Sequence, residues 1–240
     1  MIIHRYDGRF ANQVIQYLLI KYYSIKHKNP VNFIQGNHPT HPHVIEYNNN
    51  KVENFNVNKV YTLHDAIDYD TYYENILFQF PFFGMNPLNF EVVTDEIAKQ
   101  IISIQETKHS FKDGDVICAI RGGDVIGMDN KSYTITPSKF YIENIKKYKF
   151  ERVFILGELN HSVTLDIANE IKRQFDNCQI LEMSSIENDF QTFINCPNLI
   201  GSYSSFYWLA CFLSNKQYAI FPKGRIMDRL YYSKFIYESI

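Results

Sequence analysis

Val116-Ile117-Cys118-Ala119-Ile120-Arg121-Gly122-Gly123-Asp124 is the stretch on which the reading of this chain turns. Its apolar first half has the pattern of a short buried strand. It then breaks abruptly into a charged, glycine-bearing loop. Gly122 and Gly123 permit a tight turn and a close approach of backbone to ligand. Arg121 stands at the strand's carboxyl end, where open α/β sheets place their ligand crevices. A guanidinium held there suits a phosphate, because its planar fork donates two parallel charge-assisted hydrogen bonds. The plainer alternative is that Arg121 pairs with Asp124 and closes a loop.

On the carboxyl side, strands and helices alternate. Thr136-Pro137 reads as a helix start, Thr136 capping and Pro137 in the first helical position, and the helix runs to about Tyr148. Residues 152–156 are a buried strand with Gly157-Glu158 at its end. A helix over 161–175, a strand over 179–181 and a helix over 188–194 follow. Residues 198–201 make a short strand, and Ser202-Tyr203-Ser204-Ser205 opens a helix carrying Trp208 and Phe212. Residues 218–222 are a last strand. The aromatic tail, 225–240, is expected to be a helix that packs back on the first half.

On the amino side, residues 1–6 predict a strand and 7–13 a turn. Val14, Ile15, Leu18, Leu19, Tyr22 and Ile25 recur at helical spacing up to Asn29-Pro30, and 31–34 is a second strand. Strand, glycine turn, helix, strand opens a Rossmann-like unit, although the GxGxxG order is absent. Residues 57–63 contain a strand. Residues 77–83, with Pro81 inside, read as an edge strand or a packed loop. Thr94 caps a helix over 94–105, and the polar run 108–113 makes a domain boundary. The fold class expected is α/β, with an N-terminal domain over 1–110, a C-terminal domain over 111–224 and the tail beyond.

Composition excludes several classes of function. The chain has 240 residues, 45% of them hydrophobic, with 18 Tyr and 19 Phe, enough to bury a substantial core. A formal net charge of −2 provides no field for nucleic acid or an anionic membrane. Cys118, Cys178, Cys196 and Cys211 are scattered singly in apolar sequence and read as small core residues of a reducing compartment. The amino terminus turns polar too soon for a secretory signal, and no apolar run reaches the ~18 residues that span a bilayer. A cytoplasmic protein with no integral membrane segment is expected. His38, His41 and His43 share a loop with two prolines and no acidic or thiol ligand nearby, so a surface loop is the better reading than a metal site. Asp68-Tyr69-Asp70 and Asp113-Gly114-Asp115 match the DxD pattern of some metal-dependent sugar transferases, but the second reads better as a turn before the Arg121 strand.

Three loops follow strands and lead into helices: 8–13, 121–124 and 202–205. Ser204 and Ser205 combine hydroxyls with the free N–H groups of a helix amino terminus, an arrangement suited to an anion and equally to simple capping. Asn12 has the same two readings. Glu158, after its strand, can accept hydrogen bonds from a ribose or base, or be a solvated loop acid.

Together these motifs resemble a family. Gly8-Arg9-Phe10-Ala11-Asn12-Gln13 with Gln16-Tyr17 is similar to the G-x-x-G-N-Q-x-x-Q-Y opening of the alpha-1,2-fucosyltransferases (glycosyltransferase family 11) and to the opening of the protein O-fucosyltransferases. Residues 119–124 resemble their H-x-R-R-G-D motif, with Ala119 for the histidine and Gly122 for the second arginine. Residues 189–208, ending Ser204-Ser205-Phe206-Tyr207-Trp208, resemble their carboxy-terminal stretch. The resemblance implies a GT-B-like fold of two small Rossmann-like domains facing a central cleft. It also implies inverting, metal-independent transfer of a sugar, usually fucose from GDP-fucose, to a glycan hydroxyl. The donor is a co-substrate, and no cofactor is implied. Arg121 would hold the donor's β-phosphate and form the catalytic pair with Asp124. Gly8, Arg9, Asn12, Glu158, Ser204 and Ser205 would complete the donor site. Asp124, Asp7 and His4 are candidate bases by loop position. Three alternatives stand beside this one: a relative that binds glycan or nucleotide without transfer, a transferase that uses another nucleotide sugar, and an unrelated Rossmann-like nucleotide enzyme, against which the absent GxGxxG and Walker patterns count.

Overall fold

A computed structural model describes residues 2–5, 8–34, 58–61, 70–79, 109–127 and 133–240. The histidine loop, Asp7, Asp68, the His4 side chain, residues 80–83 and the helix expected over 94–105 lie outside what is described. The chain divides into two compact units, Met1–Ser103 and Ile104–Ile240. Each is a parallel α/β unit.

In the first unit β1 (Ile2–Arg5) leads into α1 (Phe10–Lys26), then β2 (Val31–Ile34), β3 (Lys59–Tyr61) and β4 (Ile76–Gln79). The sheet order is β2-β1-β4-β3, with every pairing parallel. α1 buries Val14, Ile15, Leu18 and Leu19 of the helical stripe read from the sequence. Its last two members are corrected: Tyr22 is half-buried, Ile25 is exposed, and Tyr23 takes the buried place. Tyr23 also donates its hydroxyl to Thr71 O at 2.9 Å, tying the helix to the segment before β4. β4 is a correction: it lies between β1 and β3, not at an edge. The described strand runs over Ile76–Gln79.

The second unit begins with β5 (Asp115–Ile120), followed by a 3-10 turn (Gly123–Val125), α2 (Ser138–Tyr148), β6 (Arg152–Gly157), α3 (Ser162–Gln174) and β7 (Cys178–Ile180). It continues with α4 (Ile186–Asn195), β8 (Asn198–Gly201), α5 (Ser205–Phe212), β9 (Tyr218–Pro222), α6 (Ile226–Arg229) and β10 (Ile236–Glu238). Its six strands are parallel and ordered β7-β6-β5-β8-β9-β10. Counted from β5, that is the 3-2-1-4-5-6 order of a Rossmann sheet, which reverses between β5 and β8. All six residues of β5 are buried. Val116, Cys118 and Ile120 pack with Phe140, Tyr141 and Ile145 of α2 and with Ile167, Ala168 and Ile171 of α3. Ile117 and Ala119 alternate to the opposite face and are also fully buried.

Two further expectations need correcting. α2 starts at Ser138 with Pro137 as the capping residue and no side-chain cap bond, so Thr136 lies one place too early to cap. The tail is a short helix and a strand. β10 pairs with β9 and extends the second sheet. The tail's aromatic residues find apolar partners within this unit: Phe235 lies 5.8 Å from Trp208 and 5.6 Å from Phe221, ring to ring. Glu238 is fastened to α2 by Lys147 at 2.6 Å and the Tyr148 hydroxyl at 3.0 Å.

The cysteines are free, and Cys118, Cys196 and Cys211 are buried. Burial pushes the Cys211 thiol up to about 12, so it stays protonated at neutral pH. Lys216 donates its amino group to Phe193 O at 2.6 Å, to Ile194 O at 2.7 Å and to Cys196 O, satisfying carbonyls that the end of α4 leaves open. No described helix is long and apolar enough to cross a membrane.

Candidate functional site

β5 and β8 are neighbours, and the chain leaves both at the same edge of the sheet. The order reversal between them opens the crevice in which α/β sheets bind ligands. Arg121 is the first residue after β5, and Ser202 the first after β8. Their loops are joined: the Arg121 N–H donates to Ser202 Oγ at 3.1 Å, and Arg121 Nη1 to Ser204 Oγ at 3.4 Å. Ser204 also accepts from Phe206 N–H at 3.3 Å, which makes it the cap of α5. Capping and guanidinium binding therefore coexist in one hydroxyl. Ser205 begins α5 and is buried.

The Arg121 side chain is mostly buried, 15% exposed. Nη2 meets the Asp124 carboxylate at 3.2 and 3.4 Å, and the guanidinium carbon lies 4.9 Å from the centre of the Tyr133 ring. The buried Nε has no hydrogen-bond partner among the described residues. A guanidinium carries five N–H donors. Here they are aimed by long bonds and one ring face, which orient the group without saturating it.

Glu158, first after β6, closes the other side of the turn. Its Oε2 accepts from Gly122 N–H at 3.0 Å, while its own N–H donates to Ile120 O at 3.0 Å. The two strand ends approach so closely that a Cβ on Gly157 would lie 1.9 Å from Ile120 O. Gly122 is under the same constraint: a Cβ there would stand 2.7 Å from Glu158 O and 2.9 Å from Thr164 Cγ2. An arginine does not fit at this position as the turn is built.

The end of β5 is fixed from beneath by two buried phenols. Tyr207 donates to Ile120 O at 3.0 Å and Tyr141 to Ala119 O at 3.1 Å. Burial pushes both hydroxyls well above their ordinary range, so they remain donors at any physiological pH.

Arg121, Asp124, Glu158, Ser204 and Ser205 thus come from three strand ends of one sheet edge. Gly8, Arg9 and Asn12 belong to the first unit, in the turn between β1 and α1. Gly8 has φ +76°, and Gln13 Nε2 donates to Gly8 O at 2.9 Å. Arg9 is exposed and is the capping residue of α1, with no side-chain cap bond. Asn12 lies inside the helix and is not its cap. Sequence reading missed three contributors: Ser202, Tyr133 and Thr164. Ser202 was within the quoted loop, since a serine directly after a strand at a switch point is itself a signal. Tyr133 and Thr164 carried none. Asp115 of the second DxD pattern is committed elsewhere, bound to Arg152 Nε at 2.7 Å. The described residues contain no group of three or more His, Cys, Asp or Glu that could hold a metal.

No protein-family model matches the sequence, and no curated protein matches it. Among solved structures, the chain is similar to POFUT1 in complex with GDP, at 13% identity, over 90% of this chain and 95% of that one, with a TM-score of 0.46. It is also similar to POFUT1 in complex with GDP-fucose, at 12% identity, over 90% of this chain and 94% of that one, with a TM-score of 0.49. At such identities the likeness concerns the fold alone.

Proposed function

We propose that the protein is a glycosyltransferase that moves a sugar, fucose from GDP-fucose in the first instance, from a nucleoside diphosphate to a hydroxyl of a glycan. The observation that carries this reading is the Arg121 guanidinium. It stands at the carboxyl end of β5, beside the order reversal of a Rossmann sheet, aimed by Asp124, Ser204 and Tyr133 with donors to spare. Arg121 takes the donor's β-phosphate. The acceptor hydroxyl attacks the anomeric carbon from the face opposite the diphosphate and loses its proton to solvent, while the C1–O bond breaks, its electron pair leaves with the diphosphate, and the configuration inverts. Negative charge grows on the β-phosphate as that bond lengthens, and the fixed guanidinium stabilises it without a metal. Asp124 orients Arg121. Glu158, at the end of the second Rossmann strand, occupies the position from which an acid reaches a ribose hydroxyl.

The test is thermal stabilisation by GDP and by UDP without added metal. A ligand at 100 times its dissociation constant stabilises the fold by roughly 2.7 kcal/mol. A shift with GDP alone fits a guanosine donor. A shift with UDP alone keeps a transferase and discards GDP-fucose. No shift with either would sink the reading.

Gly122 favours a second reading, a protein that binds nucleotide or glycan without transfer. The position of the second motif arginine is walled off by Glu158 and Thr164, leaving one guanidinium on this loop. Turnover of any sugar nucleotide would exclude it.

A further inference from the structure

Four non-glycine residues have positive φ among the described residues. Lys149 does so in an ordinary left-handed helix cap. Arg225 does not: its φ of 58° and ψ of −133° fall near a region that only glycine occupies readily. A backbone of this kind persists where surrounding bonds over-determine it. They do so here. Lys223 N–H donates to Glu238 O at 2.7 Å, Gly224 N–H to Asp228 Oδ1 at 3.1 Å, and the Tyr203 hydroxyl to Lys223 O at 3.1 Å. The turn follows β9 directly and returns Arg225 toward the loop after β8. Its guanidinium carbon lies 5.8 Å from the centre of the Tyr203 ring.

Tyr203 stands between Ser202 and Ser204, the two residues that bond Arg121. One three-residue loop therefore touches both guanidinium groups. β8 separates β5 from β9 in the sheet. With neighbouring strands about 4.8 Å apart, the two arginine-bearing turns begin about 10 Å from each other on one edge, a gap that two arginine side chains span with a diphosphate between them. Arg121 alone faces the carboxylate of Asp124 and has that of Glu158 on the same turn. A diphosphate calls for more positive charge than this.

We infer that Arg225 is the second cation of the anion site and binds the phosphate of a nucleoside diphosphate that Arg121 does not hold. The inference rests on the function proposed above. It places the lost second arginine of the Arg121 loop on a different strand end, where the sheet leaves room for it. The turn is what brings its guanidinium over the Tyr203 ring, beside the serines that bond Arg121.

The test is GDP binding by calorimetry at two salt concentrations, on the wild-type protein and on Arg121→Ala, Arg225→Gly and Arg225→Lys. Arg225→Gly relieves the φ strain, so its melting temperature is expected to equal or exceed that of the wild type. Its GDP affinity is expected to fall by about tenfold or more, with a shallower salt dependence. Arg225→Lys keeps the charge and recovers most of the affinity. If Arg121→Ala loses GDP and Arg225→Gly binds it as well as the wild type, this inference is overturned and the proposed function stands. If the wild-type protein binds neither GDP nor UDP, both fall together.

Discussion

At each end of β5 an aspartate meets an arginine, Asp115 with Arg152 of β6 and Asp124 with Arg121, and the two pairs are built differently. At the amino end Asp115, 1% exposed, takes Arg152 Nε at 2.7 Å, Arg152 Nη2 at 2.5 Å and the Lys112 N–H at 2.6 Å. Burial alone would raise the Asp115 carboxyl, but the Arg152 and Lys112 bonds outweigh it and hold the group below its ordinary range. At the carboxyl end Arg121 and Asp124 touch at 3.2 and 3.4 Å, with Asp124 41% exposed. The first pair is closed on itself. The second is a cation held in place with donors unused. The same two residue types thus anchor one end of the strand and, under the proposed function, bind ligand at the other. The difference lies in how fully each guanidinium is satisfied.

Substitutions at the two ends should therefore separate activity from stability. The largest effect is expected for Arg121→Ala, with turnover of the sugar nucleotide falling about 100- to 1000-fold and the melting temperature unchanged. An Arg121→Ala protein of full activity would remove the carboxyl end from the chemistry. Asp115→Ala is the converse. It should leave activity per folded molecule intact and cost about 2–3 kcal/mol in urea unfolding, below the range for a fully enclosed pair because Arg152 is 40% exposed and keeps water. An unchanged midpoint would show that the tight geometry contributes nothing net.

The pH dependence sharpens the same contrast. A carboxyl whose folded pKa is depressed adds stability that is fully present above its unfolded pKa, about 4, and lost as pH falls through the lower folded value. The wild type should therefore exceed Asp115→Asn at neutral pH, and the two curves should converge on acidification below about pH 4. Curves that stay parallel would contradict the assignment. The smallest effect is expected for Asp124→Asn. Its stability should stay within about 0.5 kcal/mol of wild type, as for other exposed pairs. Its kcat should fall about tenfold, because Arg121 loses one of the contacts that aim it. A stability loss as large as that of Asp115→Ala would erase the distinction between the ends.

Much of this was legible in the sequence. The apolar run 116–120, the glycines after it and the serines at 202–205 announced a strand end and a helix start, because periodicity and turn chemistry are local. The contacts that turn those loops into a site are not local. Arg121 reaches Ser204 across 83 positions, and Gly122 reaches Glu158 across 36. Tyr133 gave no signal because an aromatic residue after a loop is as readily core as platform. The tail misled for a related reason: its aromatic residues fit a helix face as well as a strand, and the free edge of β9 decided between them. Lys216 carries no signal in the sequence, yet it closes the end of α4.

By itself, the sequence determined the α/β alternation, the buried β5 and the position of Arg121 just beyond it. Hydrophobic period and glycine placement act over a few residues and need no partner to be read. Only the tertiary structure decided the strand order, and with it the neighbours of Arg121. Parallel strands pair through crossovers, so which strand lies beside β5 depends on how the helices pack. That choice set β8 beside β5 and β9 beside β8, and it put Ser202, Tyr203 and Ser204 between the two arginines.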